Sequence, residues 1–153
     1  MSKEKKVLIF LAGILLIWAA VFFNSSPLSQ KGKISLEDFI YCHIQTMRVE
    51  NETGIGRAVK IRNLETVENL VETIGNLKVR KALPWEKLHS DEEYSYTIEL
   101  RYDSEEVGRF EIINFWKNGE VFFRGDSYMI AEGSKTQMTD QLEWLVQNYE
   151  TEE

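Results

Sequence analysis

The residues predict an α+β domain, an antiparallel sheet of about five to six strands with two helices packed on one face, preceded by one N-terminal transmembrane helix. Three observations carry that expectation. Residues 7–23 (VLIFLAGILLIWAAVFF) contain no charged side chain. Residues 94–102 set Tyr94, Tyr96, Ile98, Leu100 and Tyr102 against Ser95, Thr97, Glu99 and Arg101, the period of two expected of a half-buried strand. Two further stretches, 64–74 and 138–149, repeat apolar groups every three or four residues, as amphipathic helices do.

The 17 uncharged residues of 7–23 would form a helix about 25 Å long, near the lower limit for a hydrocarbon core of about 30 Å. Lys3, Lys5 and Lys6 precede it, so the positive-inside tendency places residues 1–6 in the cytoplasm. Everything after residue 23 then lies outside, on a single-pass protein of the cell membrane. Trp18, Phe22 and Phe23 gather toward the far end, where aromatic rings suit the headgroup region. A cleaved secretory signal has the same basic start and apolar stretch. A cut after Ala20 would put Trp18 where a small residue is wanted, and a cut after Ser26 would be followed at once by Pro27, so a retained signal anchor is expected. No cysteine follows the apolar run closely enough for lipidation. Residues 24–33 read as a short stalk rich in turn-forming groups, and residues 34–153 as the extracytoplasmic domain.

Within that domain, residues 39–49 form a first strand, with Ile40, Cys42 and Ile44 on one face and Tyr41, His43, Gln45 and Met47 on the other. Which face is buried stays open. Asn and Gly residues between 51 and 56 turn the chain into a second strand at 57–62. Asn63 then caps a helix whose stripe is Leu64, Val67, Leu70, Val71 and Ile74, closed by Gly75 or Asn76. After the strand at 94–102, a turn at 103–106 leads to residues 107–116, and Asn118-Gly119 supplies a hairpin loop before residues 120–124. A short strand at 128–130 precedes a final helix, opened by a capping box of Ser134 and Gln137 and buried through Met138, Leu142, Leu145, Val146 and Tyr149.

The short strand through Val59 and Ile61, the amphipathic helix, the Tyr96-x-Ile98-x-Leu100 strand and the Gly125-Asp-Ser-Tyr-Met-Ile run before the last helix are together similar to uncharacterised small exported domains of Gram-positive bacteria. Members of that type are often lipoproteins. This chain lacks the lipid-bearing cysteine, and the resemblance covers about its last 110 residues. It implies a fold and a location, not an activity.

Composition narrows the function classes. Net charge is −7, and the residues after the basic start hold 15 basic against 24 acidic groups, a surface that repels phosphate backbones, so nucleic acid is not an expected partner. Cys42 is the only cysteine, which excludes an intrachain disulfide, as in many bacterial exported domains. Cys42 and His43 are adjacent, but neighbours on a strand point to opposite faces, so a buried structural thiol is expected rather than a nucleophile. His89 could reach them only through the fold. Asp91, Glu92 and Glu93, or Asp103, Glu105 and Glu106, could suit a hard cation, yet neither group has the spacing of a calcium loop, and a solvated acidic turn is the plainer reading. No metal or cofactor is expected. No glycine-rich phosphate loop or serine elbow is present.

The strand at 107–116 offers a more suggestive feature. If Phe110, Ile112 and Trp116 face the core, Ile113 and Phe115 lie on the opposite face, joined by Phe122, and form an apolar patch fit for partner binding. The alternative is that the stalk, the first strand or the loop at 81–93 covers that face. Trp85, after Pro84 in that loop, is either a binding anchor or a cap on the core edge. The resulting expectation is a membrane-anchored, non-enzymatic binding or accessory domain with a protein or envelope partner. Two alternatives stand beside it: an envelope enzyme using carboxylates with His43 or His89, or, if the N-terminus is cleaved, a secreted inhibitor or small-ligand carrier.

Overall fold

A computed structural model describes residues 2–47, 55–83, 85–86, 95–103, 108–116, 118–131 and 133–149. In chain order they form α1 (Lys3–Phe23), β1 (Ser26–Pro27), a 3-10 turn (Leu28–Gln30), β2 (Phe39–Met47), β3 (Ile55–Ile61), α2 (Leu64–Asn76), β4 (Lys78–Lys81), β5 (Ser95–Tyr102), β6 (Phe110–Trp116), β7 (Glu120–Phe123), β8 (Asp126–Ile130) and α3 (Lys135–Asn148).

Strand parity decides where the core lies. Tyr96, Ile98, Leu100 and Tyr102 on β5 are all buried on one face. The antiparallel ladders set Ile98 opposite Ile44 of β2 and Ile113 of β6, and Leu100 opposite Cys42. Ile44, Cys42, Ile98, Leu100 and Ile113 are inaccessible to water, as are Val59 and Ile61 next along on β3. Val121 and Phe123 of β7 continue the same face.

Two helices close over it. Asn63 caps α2 as its pattern requires, its Oδ1 accepting from the Thr66 amide at 2.8 Å, and Val67, Leu70 and Ile74 are buried. Leu64, expected in that stripe, is the first residue of the helix and is exposed. In α3 the buried residues are Met138, Leu142, Leu145 and Val146. Ser134 stands at its start without a side-chain cap bond, so the expected capping box does not form. Thr66 and Tyr149 hydroxyls meet at 2.9 Å and tie the start of α2 to the end of α3.

The strand count exceeds expectation. All eight strands join one antiparallel sheet in the order β1-β4-β8-β7-β6-β5-β2-β3, in place of the five to six read from the sequence. The missing strands are the short ones: β4 (KVRK) buries only Val79 between charged neighbours, and β1 is two residues long. Neither shows the alternation by which a longer strand is recognised. β1 and the 3-10 turn also correct the stalk. Ser26 and Pro27 pair with Val79 and Lys78, the Leu28 amide donates to the Leu77 carbonyl, and Leu28 is buried. Residues 28–38 then form a strap from one sheet edge to β2, packing Ile34 and Leu36 on the core. The span is six strand spacings, about 29 Å, within the reach of eleven residues.

The transmembrane expectation is overturned. Among the described residues no helix is long and apolar enough to cross a membrane. Lys3, Glu4, Lys5 and Lys6 lie inside α1 and fill its first turn, so the uncharged remainder, about 25 Å, falls short of a core of about 30 Å. Signal-anchor, single-pass and cell-membrane assignments lose their basis with it. Trp18, expected at a headgroup boundary, stacks instead on Trp85, with ring centroids 6.2 Å apart and planes 13° from parallel. Apolar side chains on the rest of α1, among them Leu8 and Leu16, are exposed.

The parity of β6 predicts unequal costs at neighbouring positions. Ile113→Ala should lower the unfolding free energy by about 3 kcal/mol, whereas Ile112→Ala should cost under about 1 kcal/mol. Denaturant titration of the two variants measures the difference.

Candidate functional site

The face of the sheet turned away from α2 and α3, here the outer face, carries the odd-numbered residues of β5 and the even-numbered residues of β6. Thr97 lies opposite Asn114 and donates to its Oδ1 at 2.8 Å. Glu99 lies opposite Ile112, and Arg101 pairs with Glu99 while its guanidinium rests 5.0 Å from the centre of the Phe110 ring. On β2, Tyr41 lies under Lys60 at 4.2 Å and Arg62 at 5.5 Å. The result is an apolar diagonal patch of Phe110 (56% exposed), Ile112 (37% exposed) and the half-buried Phe122, bordered by polar and charged groups, while Trp116 at the end of β6 lines the cavity under α3.

This arrangement corrects the expected patch. Ile113 and Phe115 are core residues, because Ile113 pairs with Ile98 and Phe115 with Tyr96, both on the buried face. Phe110 and Ile112, expected inside, are the exposed ones. Phe122 does lie on the outer face, opposite Asn114. The run FEIINFW is apolar on both parities, so its own pattern could not choose. The choice comes from β7, whose Val121 and Phe123 face Phe115 and Ile113 across the ladder.

Trp85 is not joined to this diagonal. Leu83 and Glu86 are pinned beside β4 by a bidentate Arg80–Glu86 pair, at 2.6 and 2.8 Å, and by the Leu83 amide donating to Glu86. The hydrogen bonds from Arg80 hold the Glu86 carboxyl below its usual range. Trp85 projects from that turn, 58% exposed, against Trp18.

The other chemical candidates separate in space. Cys42 is buried in the core, and loss of hydration, with a smaller contribution from Glu99, pushes its thiol from 9.0 up to about 12. His43 points to the outer face between Lys60 and Glu99, its Nε2 buried without a hydrogen-bond partner among the described residues. His89 and Asp91, Glu92 and Glu93 lie outside the described residues, as do Glu105 and Glu106 of the second acidic group. Among the described residues no three His, Cys, Asp or Glu side chains converge as a metal set.

Three features were not foreseen. Glu120, directly after the Asn118-Gly119 turn, is fully buried, and neither carboxylate oxygen has a hydrogen-bond partner among the described residues. A glutamate beside a hairpin loop reads as solvated, so nothing local marks it. A cavity of about 120 Å³ between α3 and the sheet is walled by Tyr96, Phe115, Met138 and Leu142, with Lys135 and Glu143 among its polar lining. At the strap end of the sheet, a larger cleft of about 440 Å³ is lined by Tyr102 and three cationic side chains. Burial, reinforced by the Glu111 carboxylate, pushes the Tyr102 phenol from 10.0 up to about 12.

No protein-family model matches the chain, and neither the curated proteins nor the solved structures include a significant match. The resemblance to small exported domains therefore stands on the residues quoted for it alone.

Cys42 and Tyr102 both hold their protons more tightly in the fold than in the unfolded chain. Their contribution to stability is complete below about pH 9 and declines as pH rises toward about 12. Native protein at neutral pH should leave Cys42 unlabelled by a maleimide that reacts at once in denaturant. Cys42→Ala should make the loss of stability between pH 9 and 12 shallower, as followed by circular dichroism.

Proposed function

We propose that this chain is a binding or accessory domain whose partner, a protein, docks on the outer face of the sheet. The observation that carries the reading is the diagonal of Phe110, Ile112 and Phe122, set among Thr97, Asn114, Glu99 and Arg101. Protein contact surfaces combine an apolar, aromatic-rich centre with a polar border that excludes water, and a few central side chains supply most of the binding energy. Arg101 over Phe110 holds that ring in place before a partner arrives, which lowers the ordering cost of association.

Ile112→Asp combined with Phe122→Ser should weaken partner binding by tenfold or more, since each removes an apolar anchor worth about 1 to 2 kcal/mol. The fold should persist, because neither residue is in the core. A photo-crosslinking amino acid at position 112 of the full chain should capture a discrete protein adduct in cells, and one at the exposed Trp144 on α3 should not. Equal adducts from both positions, or capture at 112 that survives the Phe122→Ser change with unaltered affinity, would overturn the assignment.

A further inference from the structure

The cleft at the strap end of the sheet contains something its surroundings do not explain. Tyr102 is 5% exposed, its hydroxyl is buried, and that hydroxyl has no hydrogen-bond partner among the described residues. Buried hydroxyls are nearly always paired, because an unmet donor forfeits the hydrogen bond it made to water. His43 Nε2 and the Glu120 oxygens are also unmet, but neither residue lines this cleft. Tyr102 does.

The cleft is also electrically unlike the rest of the molecule. The chain carries a net −7, yet the charged groups lining this cleft are Lys33, Arg109 and Arg124 against the single carboxylate of Glu111. Arg124 is fixed: its Nε donates to Glu111 at 2.6 Å and an Nη to the Lys33 carbonyl at 3.0 Å. Arg109 lies over the Tyr102 ring at 5.0 Å, with Asp103 3.6 Å from its Nε. Phe110 and Ile112 supply an apolar wall. A phenol that burial keeps protonated can act as a donor throughout the physiological range. A donor hydroxyl, planar guanidinium groups and an apolar wall in a space of about 440 Å³ suit a ligand with clustered acceptor oxygens and a small organic body.

We propose that this cleft binds a small organic anion, its carboxylate or phosphate oxygens taken by the Tyr102 hydroxyl together with Arg109 and Arg124, and its body laid against Phe110 and Ile112. Phe110 and Ile112 are shared with the docking diagonal, whereas Tyr102 and Arg109 lie outside it, so changes at these two residues test the cleft without altering the docking surface.

Phenyl phosphate, benzoate and neutral benzyl alcohol, each titrated into the full ¹⁵N-labelled chain, provide the test. Saturable shifts of the Arg109 and Arg124 side-chain Nε–H signals are expected with an anion and not with the alcohol. The tighter of the two anions distinguishes a phosphate from a carboxylate ligand. Tyr102→Phe and Arg109→Gln should each weaken binding about tenfold. Tyr102→Phe should leave the unliganded protein at least as resistant to heat as the parent, because it removes an unmet polar group; this separates lost binding from lost folding. Shifts that never saturate, equal response to benzyl alcohol, or undiminished affinity in a folded Tyr102→Phe variant would each overturn the proposal.

Discussion

The contact between Ile44, Ile98 and Ile113 is the constraint on which the rest of the sheet depends. These residues lie opposite one another on three adjacent strands and are fully buried. Side chains alternate strictly between the two faces, so fixing one such row fixes the parity of every residue on those strands. A slip of one residue in β6 would carry Ile113 and Phe115 into water and bring Asn114 inside. Ile112 would be buried in exchange, so the cost that discriminates is the unpaired amide of Asn114. Through β7 the same parity reaches Val121 and Phe123, and through β2 it reaches Val59 and Ile61.

Covering one face of the sheet leaves the other to a different chemistry. The outer face is stabilised by paired polar groups, such as Thr97 with Asn114, and by cations resting on rings, such as Arg101 on Phe110 and Lys60 on Tyr41. Such contacts contribute modestly each, but they hold long side chains in place on a surface that no helix among the described residues covers. Buried polar atoms without partners occur where this order gives out: at Glu120 beside a hairpin, at Tyr102 beside the strap, and at His43 on β2. Each is an energetic cost that packing elsewhere must offset.

Much of the secondary structure was legible because local signals and tertiary demands agree there. Asn63 caps a helix with a clear apolar stripe, and the alternation of β5 points its tyrosines and aliphatic groups to the core. The reading failed where the chain is locally ambiguous. FEIINFW satisfies both parities, KVRK satisfies neither, and Ser-Pro is too short to register as a strand. The stalk reading failed because turn-rich composition also describes an ordered strap held by backbone bonds and one buried leucine. The apolar N-terminal run was read by composition, and the charges drawn into its first turn shorten the part that could lie in lipid. Of the candidate site, Phe122 lies on the outer face but apart from Ile113 and Phe115, with which it was grouped, while the unmet hydroxyl of Tyr102 depends on strap and hairpin meeting, which no local pattern announces.

Strap and hairpin meet most closely at Gly32. Arg124 sits at a backbone φ of +49° in the β7–β8 turn and sends its guanidinium across 91 positions of sequence to the Lys33 carbonyl. It passes Gly32 so closely that a methyl group there would lie 2.3 Å from Nη1. The strap is therefore a fastened buckle rather than a tether, and its length is set by the width of the sheet it crosses. Whatever the chain carries ahead of Ser26 leaves from a fixed point, so its reach and bearing are properties of the folded domain and not of a loose leash.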